Sequence, residues 1–174
     1  MPLIKTISTK DFSVGFWQIT ESADELLEGS SLSQDERIRY SGFSNDRRKR
    51  EFLAVRHLLQ NMLAVSCELT YDKSGKPELK DSCYCVSVSH SPSLAALMVS
   101  DEPCGLDVEE MTRNADRISE RFLSPEELEW SSSLEEFRMV RLICWCVKEA
   151  VFKLMGSADV DFARHIKIMP FEPL

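Results

Sequence analysis

The sequence of 174 residues lacks several features that would place it in a specialised class of protein. It contains no run of about 18 apolar residues, so we expect no transmembrane helix. Residues Met1 to Ser13 contain no continuous apolar segment, so we expect no signal peptide and a cytoplasmic location. No internal repeat or low-complexity segment is visible. A hydrophobic fraction of 43% and a charged fraction of 29% are typical of a soluble globular chain. At this length, we expect one domain or two small lobes.

The sequence also lacks the C-x-x-C spacing that is typical of zinc and redox sites. Its six cysteines include two pairs with C-x-C spacing, Cys83/Cys85 and Cys144/Cys146. These cysteines lie within apolar stretches of a chain with no visible export signal, so we interpret them as reduced core residues.

An excess of positive charge is absent as well, because the formal net charge is −8. This balance argues against a general nucleic-acid-binding protein. The charge is uneven, however: residues 35–57 contain seven Lys or Arg and four acidic residues, a local charge of +3. A local basic surface suits a small polyphosphate ligand or an acidic partner. Taken alone, this composition fits a solvated helix face with internal ion pairs better than it fits a binding surface.

Local patterns predict an α+β fold with two strand-and-helix lobes in series, residues 1–100 and 101–174. The proposed boundary is Asp101-Glu102-Pro103. Ser33 with Glu36, and Ser124 with Pro125 and Glu127, have the pattern of helix N-termini. Periodicity predicts two longer helices, Asp46–Val65 and Leu134–Met155. The expected strands are Val14–Ile19, Val86–Ser89, Leu94–Val99, Cys104–Glu109 and Ile166–Ile168.

The expected strand Cys104–Glu109 carries two acidic side chains on one face. Because side chains alternate along a strand, Asp107 and Glu109 share a face, with their α-carbons about 7 Å apart. Gly105 on the same face leaves room for a group close to the backbone. Neighbouring carboxylates repel each other unless they are solvated or share a cation, and magnesium prefers oxygen ligands. A solvent-exposed acidic strand end is the alternative interpretation.

The second long helix carries Glu149 and Lys153 four residues apart, hence on one face. Glu149 is a candidate third metal ligand and Lys153 a candidate phosphate contact. An ordinary surface ion pair is the alternative. The helix pattern predicts a neighbouring buried stripe of Met139, Ile143, Cys146, Ala150 and Leu154. Ser89 and His90, near the end of another expected strand, are candidate donors to phosphate oxygens, although a lone histidine is more often structural.

The order and spacing of these elements resemble the phosphopantetheinyl transferase superfamily. The resemblance lies in Gly105-Leu106-Asp107-Val108-Glu109 and, some forty residues later, in Trp145-Cys146-Val147-Lys148-Glu149-Ala150-Val151-Phe152-Lys153. Gly75-Lys76-Pro77 and Val88-Ser89-His90-Ser91 resemble the upstream elements of the family. Cys146 replaces the usual Ser or Thr, and Leu106 the usual Ile or Val. About one hundred residues precede Gly105, as in the Sfp-like class, whose two similar lobes form an internal pseudo-dimer.

The resemblance implies a set of site residues. Asp107, Glu109 and Glu149 are the implied magnesium ligands, and Lys153 the contact to the reacting phosphates. The implied coenzyme A contacts are Lys76, Ser89 and His90, with Lys148 beside them in the motif. Arg50 is the implied contact to the 3′-phosphate, and Arg47, Arg48 and Arg56 are alternatives.

The resemblance also implies a function, the magnesium-dependent transfer of the 4′-phosphopantetheine group of coenzyme A to a serine of an apo acyl or peptidyl carrier protein. Glu149 would activate that serine directly or through a metal-bound water, and 3′,5′-ADP would leave. We expect a monomer without nucleic-acid or membrane partners, and a second lobe that is short at its C-terminus. The alternatives are another magnesium-dependent phosphoryl-transfer enzyme, a phosphohydrolase and a non-catalytic family member.

Overall fold

The computed structural model describes residues 3–63, 67–156 and 159–172. Its strands are β1 (Leu3–Ser8), β2 (Phe12–Gln18), β3 (Leu69–Tyr71), β4 (Pro77–Leu79), β5 (Cys85–Ser91) and β6 (Leu94–Ser100). Its helices are α1 (Ala23–Glu28), α2 (Gln34–Ser41), α3 (Asp46–Met62), α4 (Pro125–Ser132), α5 (Phe137–Met155) and α6 (Phe162–His165), and a 3-10 helix covers Ala115–Arg121. The expected α+β class is confirmed. Within the described residues no helix is both long and apolar enough to cross a membrane.

Four strands form an antiparallel sheet in the order β1-β2-β6-β5. Because side chains alternate across a sheet, one face carries Trp17, Val86 and Leu97, which pack with α3 in a hydrophobic core. Ser87 and Ser89 of β5 therefore point to the opposite face. Strands β3 and β4 form a separate two-stranded ladder.

The helix starts follow their local sequence. The side chains of Ser33 and Ser124 each accept a hydrogen bond from the backbone N–H of the third helical residue, a glutamate, whose carboxylate accepts one from the backbone N–H of the serine. Both predicted capping boxes are thereby confirmed. Helix α3 begins at Asp46 as predicted and ends at Met62; the predicted end at Val65 lies outside the described residues. Helix α5 ends at Gly156 in the left-handed conformation, with φ of 63°, which suits glycine.

Most of the buried hydrophobic side chains among the described residues lie in two separate clusters. The first lies between the sheet and α3. The second lies among the 3-10 helix, α4 and α5, and includes Phe122, Leu123, Val140 and Cys144. The division into lobes 1–100 and 101–174 remains a prediction.

Two predicted strands are wrong. Residues 104–109 form no strand; the backbone N–H groups of Leu106 and Val108 donate to serine hydroxyls of β5 instead of to a neighbouring strand. Residues 166–168 also form no strand; the N–H of Ile168 donates to the carboxylate of Glu127 at 2.7 Å. In both places a side chain replaces the expected strand partner.

The predicted buried stripe of α5 is also wrong. Its buried residues are Val140, Arg141, Leu142, Cys144 and Lys148, whereas Leu154 is 39% exposed. The prediction excluded charged side chains from the core, but Arg141 and Lys148 are buried with ionic partners. The buried face of α5 is therefore rotated from the one that hydrophobicity alone indicates.

Candidate active site

The acidic segment, residues 103–110, is held against the sheet by two serines of β5. The N–H of Leu106 donates to Ser87 Oγ at 2.9 Å, and the N–H of Val108 donates to Ser89 Oγ at 3.2 Å. Ser87 and Ser89 are two residues apart, so both side chains point to the same face of β5. This spacing fixes the register of the acidic segment and directs Asp107 towards Ser89.

Gly105 allows the acidic segment to approach α5 closely. A Cβ at this position would lie 1.9 Å from the carbonyl oxygen of Ala150, far inside van der Waals contact. The group that approaches the backbone at Gly105 is thus α5 itself. Glu149 and Lys153 lie on either side of Ala150 in the sequence, so this contact brings both close to the acidic segment.

Asp107 is the centre of the polar network. Its Oδ1 accepts hydrogen bonds from Ser89 Oγ and from Lys153 Nζ, each at 2.8 Å. The side chain of Asp107 is only 7% exposed, and its Oδ2 is buried without a hydrogen-bond partner. A buried carboxylate oxygen without a partner is costly, so this atom indicates a place for a further hydrogen-bond donor or a cation.

Lys153 joins the helix to the acidic segment. Besides Asp107, its ammonium group donates to Leu106 O at 2.9 Å and to Ser89 Oγ at 3.2 Å. The lysine side chain remains 29% exposed. It can therefore meet a ligand while it neutralises Asp107.

Glu109 and Glu149 differ in their surroundings. Glu109 pairs with the guanidinium of Arg113 and accepts a hydrogen bond from Trp145 Nε1 at 3.3 Å. Within the described part of the chain, Glu149 makes no hydrogen bond or ion pair. Burial, and then the charge of Asp107, raise the pKa of Glu149. Burial is also the main cause that raises the pKa of Glu109, and the charge of Arg113 opposes it.

The three predicted magnesium ligands meet the requirements of a metal site only in part. Asp107 and Glu109 both raise the pKa of Glu149, so the three carboxylates are electrostatic neighbours. The unpartnered Asp107 Oδ2 and the all-oxygen donor set fit a hard divalent cation. Their side chains are not gathered into a ligand shell, however: in the described ranges no three His, Cys, Asp or Glu are grouped to hold a metal ion. The chemical type of the three donors fits magnesium, whereas the positions of their side chains in this structure do not form a complete ligand shell.

Lys76 and Lys153 line one cavity of about 280 Å³ between the Gly75-Lys76-Pro77 turn, β5 and α5. Ser87 and Phe152 contribute to its wall. Two cations from elements far apart in sequence therefore face the same space, which suits a ligand carrying phosphate groups.

His90 belongs to a second, adjacent cavity of about 180 Å³, which shares Gly75 and Pro77 with the first. Arg48 Nη1 donates to His90 Nε2 at 2.6 Å, and buried Glu51 lies within 3.4 Å of both side chains. Burial lowers the pKa of His90; Glu51 opposes this, and the charge of Arg48 adds to it. The structure thus places Arg48, rather than Arg50, beside His90.

The other predicted arginine contacts have partners of their own. Arg50 Nε lies 2.9 Å from Asp46 Oδ2, and Arg47 pairs with Glu51. Arg56 is 2% exposed and lies between Glu36, the Phe52 ring and the carbonyl of Leu69. Arg56 therefore acts as a core residue.

Two predicted coenzyme A contacts are occupied by internal partners. Lys148 is fully buried, and its ammonium group donates to Glu127 Oε2 at 2.6 Å and to Phe162 O at 3.0 Å. It cannot reach a ligand without breaking both bonds. The hydroxyl of Ser89 already donates to Asp107 and accepts from Val108 and Lys153, and Ser89 is 5% exposed. In this arrangement Ser89 orients the site residues.

Sequence reasoning missed Ser87, Arg113 and the environment of Cys146. The i,i+2 spacing of Ser87 and Ser89 was a usable signal, as was the i,i+4 spacing of Glu109 and Arg113. The thiol of Cys146 lies beside Asp107; burial first, and then the charge of Asp107, raise its pKa to about 12. Cys146 is therefore a neutral neighbour of the carboxylate.

Comparisons with known proteins indicate a family for part of the chain. Residues 103–171 match the family model described as the 4′-phosphopantetheinyl transferase superfamily. A Synechocystis sp. protein provisionally named 4′-phosphopantetheinyl transferase slr0495 is 30% identical over 141 residues, 72% of this chain and 57% of the relative. The 4′-phosphopantetheinyl transferase psf-1 of Bacillus pumilus is 31% identical over 109 residues, 59% of this chain and 47% of the relative. The chain thus spans about half the length of the curated relatives it matches.

A solved structure is also similar in part. The holo-(acyl-carrier-protein) synthase from Bacillus anthracis str. Ames, in complex with coenzyme A (3′,5′-ADP), is 20% identical; the match covers 51% of this chain and 92% of that chain, with a TM-score of 0.39. Residues 103–171 of this chain thus match the 4′-phosphopantetheinyl transferase superfamily, and both curated relatives carry the name of that family.

Proposed function

We propose that this chain transfers the 4′-phosphopantetheine group of coenzyme A to a serine of an apo acyl or peptidyl carrier protein and releases 3′,5′-ADP. The observation that carries the proposal is the cavity lined by both Lys76 and Lys153, with Asp107 directly paired to Lys153. The family match and the names of the curated relatives support the same reaction. The proposal includes the division of the chain into lobes 1–100 and 101–174. In it the cavity lies between the lobes, since its walls come from both sides of the boundary.

In this proposal Lys76 and Lys153 bind the phosphate groups of coenzyme A. Phosphoryl transfer depends mainly on positioning and on neutralising charge on the phosphate oxygens. Lys153 is oriented by Ser89, Leu106 and Asp107, so little reorganisation is needed when negative charge increases on the departing 3′,5′-ADP. Arg48 and His90 form the neighbouring anion contact, in place of Arg50.

Glu149 is the proposed proton acceptor for the carrier serine. It is half-buried and has no hydrogen-bond or ion-pair partner among the described residues, so its carboxylate oxygens are open to the serine hydroxyl. Asp107, Glu109 and Glu149 would hold Mg²⁺. That ion, when bound, would polarise the pyrophosphate and neutralise part of its charge.

The test is incubation of the chain with coenzyme A, MgCl₂ and a panel of apo carrier proteins from fatty acid, polyketide and nonribosomal peptide synthesis. Mass spectrometry of the carriers should detect a phosphopantetheine adduct on one serine, and chromatography should detect an equal amount of 3′,5′-ADP. Asp107→Asn should abolish the adduct, whereas Asp101→Asn, at an exposed position, should leave it unchanged. Release of inorganic phosphate without any carrier adduct would instead support a phosphohydrolase.

A further inference from the structure

Arg113, Trp145 and Glu109 form a closed unit at the edge of the acidic cluster, here called the Glu109 clasp. The guanidinium of Arg113 pairs with Glu109 Oε1 and lies 4.9 Å from the centre of the Trp145 ring. The indole N–H of Trp145 donates to the same Oε1 at 3.3 Å. One carboxylate oxygen is therefore held by a cation and by the aromatic side chain beneath that cation.

The three members of the clasp differ in their freedom to move. Glu109 is 11% exposed, and Trp145 packs against Phe122 and Phe162. Arg113 follows a turn closed by its own N–H and the carbonyl of Glu110, and its side chain is 40% exposed. Arg113 can thus leave for solvent, whereas Glu109 and Trp145 are fixed by packing.

The clasp engages one of the three carboxylates predicted to bind the metal. Asp107 offers a buried, unpartnered oxygen, and Glu149 has no hydrogen-bond or ion-pair partner in the part of the chain that the structure describes. Glu109 alone among the three is paired with a cation outside the site. An oxygen that is already neutralised by a guanidinium is a poor ligand for Mg²⁺, which requires close, near-octahedral contacts.

We propose that Arg113 is a built-in competitor for Glu109, which a divalent cation must displace to obtain its third carboxylate. This inference rests on the proposed function, in which Asp107, Glu109 and Glu149 share magnesium. Arg113 is then a positioning residue that sets the concentration of magnesium at which the ligand shell closes.

The expected effect follows from the contacts that are lost. A solvent-exposed ion pair and an exposed cation–π contact are each weak, so Arg113→Gln should bind Mg²⁺ roughly three- to tenfold more tightly than the unaltered chain. Arg117→Gln is the matched control. Arg117 is exposed, lies four residues further along the chain, and its loss changes the net charge equally.

The experiment is isothermal titration of the full chain with MgCl₂ alone, after circular dichroism has shown that each variant is folded. Tighter binding by Arg113→Gln, with Arg117→Gln unchanged, supports the proposal. Equal gains in Mg²⁺ affinity in both variants would mean that only the net charge matters. No gain in affinity in Arg113→Gln would mean that Arg113 does not compete for Glu109. Either result overturns the proposed competition and leaves the proposed function unaffected. Absence of Mg²⁺ binding in every folded variant overturns the clasp together with the metal part of the proposed function.

A second readout does not depend on affinity. Displacement removes a guanidinium from the face of Trp145, so magnesium should change the indole emission of the unaltered chain. Trp145→Phe should abolish that change and identify its source, since Trp17 and Trp130 remain. A change of the same size in Arg113→Gln would contradict displacement, because that variant has no guanidinium to remove.

Discussion

The ammonium nitrogen of Lys153 lies 2.8 Å from Asp107 Oδ1, although the two residues are 46 positions apart in the sequence. This ion pair joins α5 to the extended acidic segment. Asp107 is almost completely shielded from water and Lys153 is not. The pair therefore combines a fixed carboxylate with a lysine that can still reach a ligand, as expected of a site that binds phosphate groups.

Gly105→Ala tests the contact between the acidic segment and α5. The added methyl group would overlap a backbone carbonyl, which cannot rotate away as a side chain can. We expect a loss of more than about 3 kcal/mol in the free energy of unfolding, measured with urea. The matched control is Gly42→Ala, where the nearest atom lies at 3.4 Å and φ is −75°; it should change stability by less than about 1 kcal/mol. Equal effects in both variants would contradict the close contact.

Ser89→Ala tests whether Ser89 orients the site or binds coenzyme A. Ser87 is a matched control, because it lies on the same strand face, is equally buried and holds the backbone of the same segment. Each alanine variant should lose about 1–2 kcal/mol of stability. Ser89→Ala should lower kcat by about tenfold or more, and by more than Ser87→Ala does, because only Ser89 is a shared partner of Asp107 and Lys153.

The KM for coenzyme A separates the two roles of Ser89. A residue that only orients Asp107 and Lys153 leaves this KM nearly unchanged, whereas a phosphate contact raises it. A raised KM with normal kcat in Ser89→Ala would support the role predicted from the sequence, a contact to coenzyme A.

Lys148→Met tests the buried ion pair with Glu127. The substitution retains much of the volume but leaves a buried carboxylate without its cation, so we expect a loss of about 3–5 kcal/mol. The double variant Lys148→Met/Glu127→Gln should recover part of that loss, because no charge is left unpaired. Coenzyme A binding by the folded double variant should equal that of the unaltered chain. A weaker affinity there would show that Lys148 contacts the ligand after all.

His90 should give the stability a dependence on pH. Burial lowers the pKa of folded His90 below its ordinary value of 6.5, so the unfolded chain binds more protons just below that pH. The contribution of His90 to stability is complete above pH 6.5 and decreases as the pH falls through 6.5 towards the folded pKa. Urea unfolding at several pH values should show this decrease, and His90→Asn should remove it. His165→Asn, at an exposed histidine, should retain it.

Part of the candidate site follows from sequence spacing. Glu149 and Lys153 share a helix face because four residues make about one turn, and both approach the acidic segment as the motif implied. The roles of Asp107, Glu109 and Glu149 as magnesium ligands stay predictions. Proximity in the motif did not predict the position of Lys148. Lys148 directly precedes Glu149, but a helix turns by about 100° per residue, so its side chain points into the core.

The sequence by itself determined the features that depend on near neighbours: the capped starts of α2 and α4, the end of α5 at Gly156, and the paired strands β5 and β6. Tertiary structure decided the features that depend on contacts between residues far apart in the sequence. The acidic segment forms no strand, and the backbone N–H of Leu106 donates to the side chain of Ser87, 19 residues earlier. Lys148 is buried because Glu127, 21 residues away, neutralises it. Hydrogen bonds and charges between distant elements leave no periodic pattern along the chain, so only the folded structure reveals them.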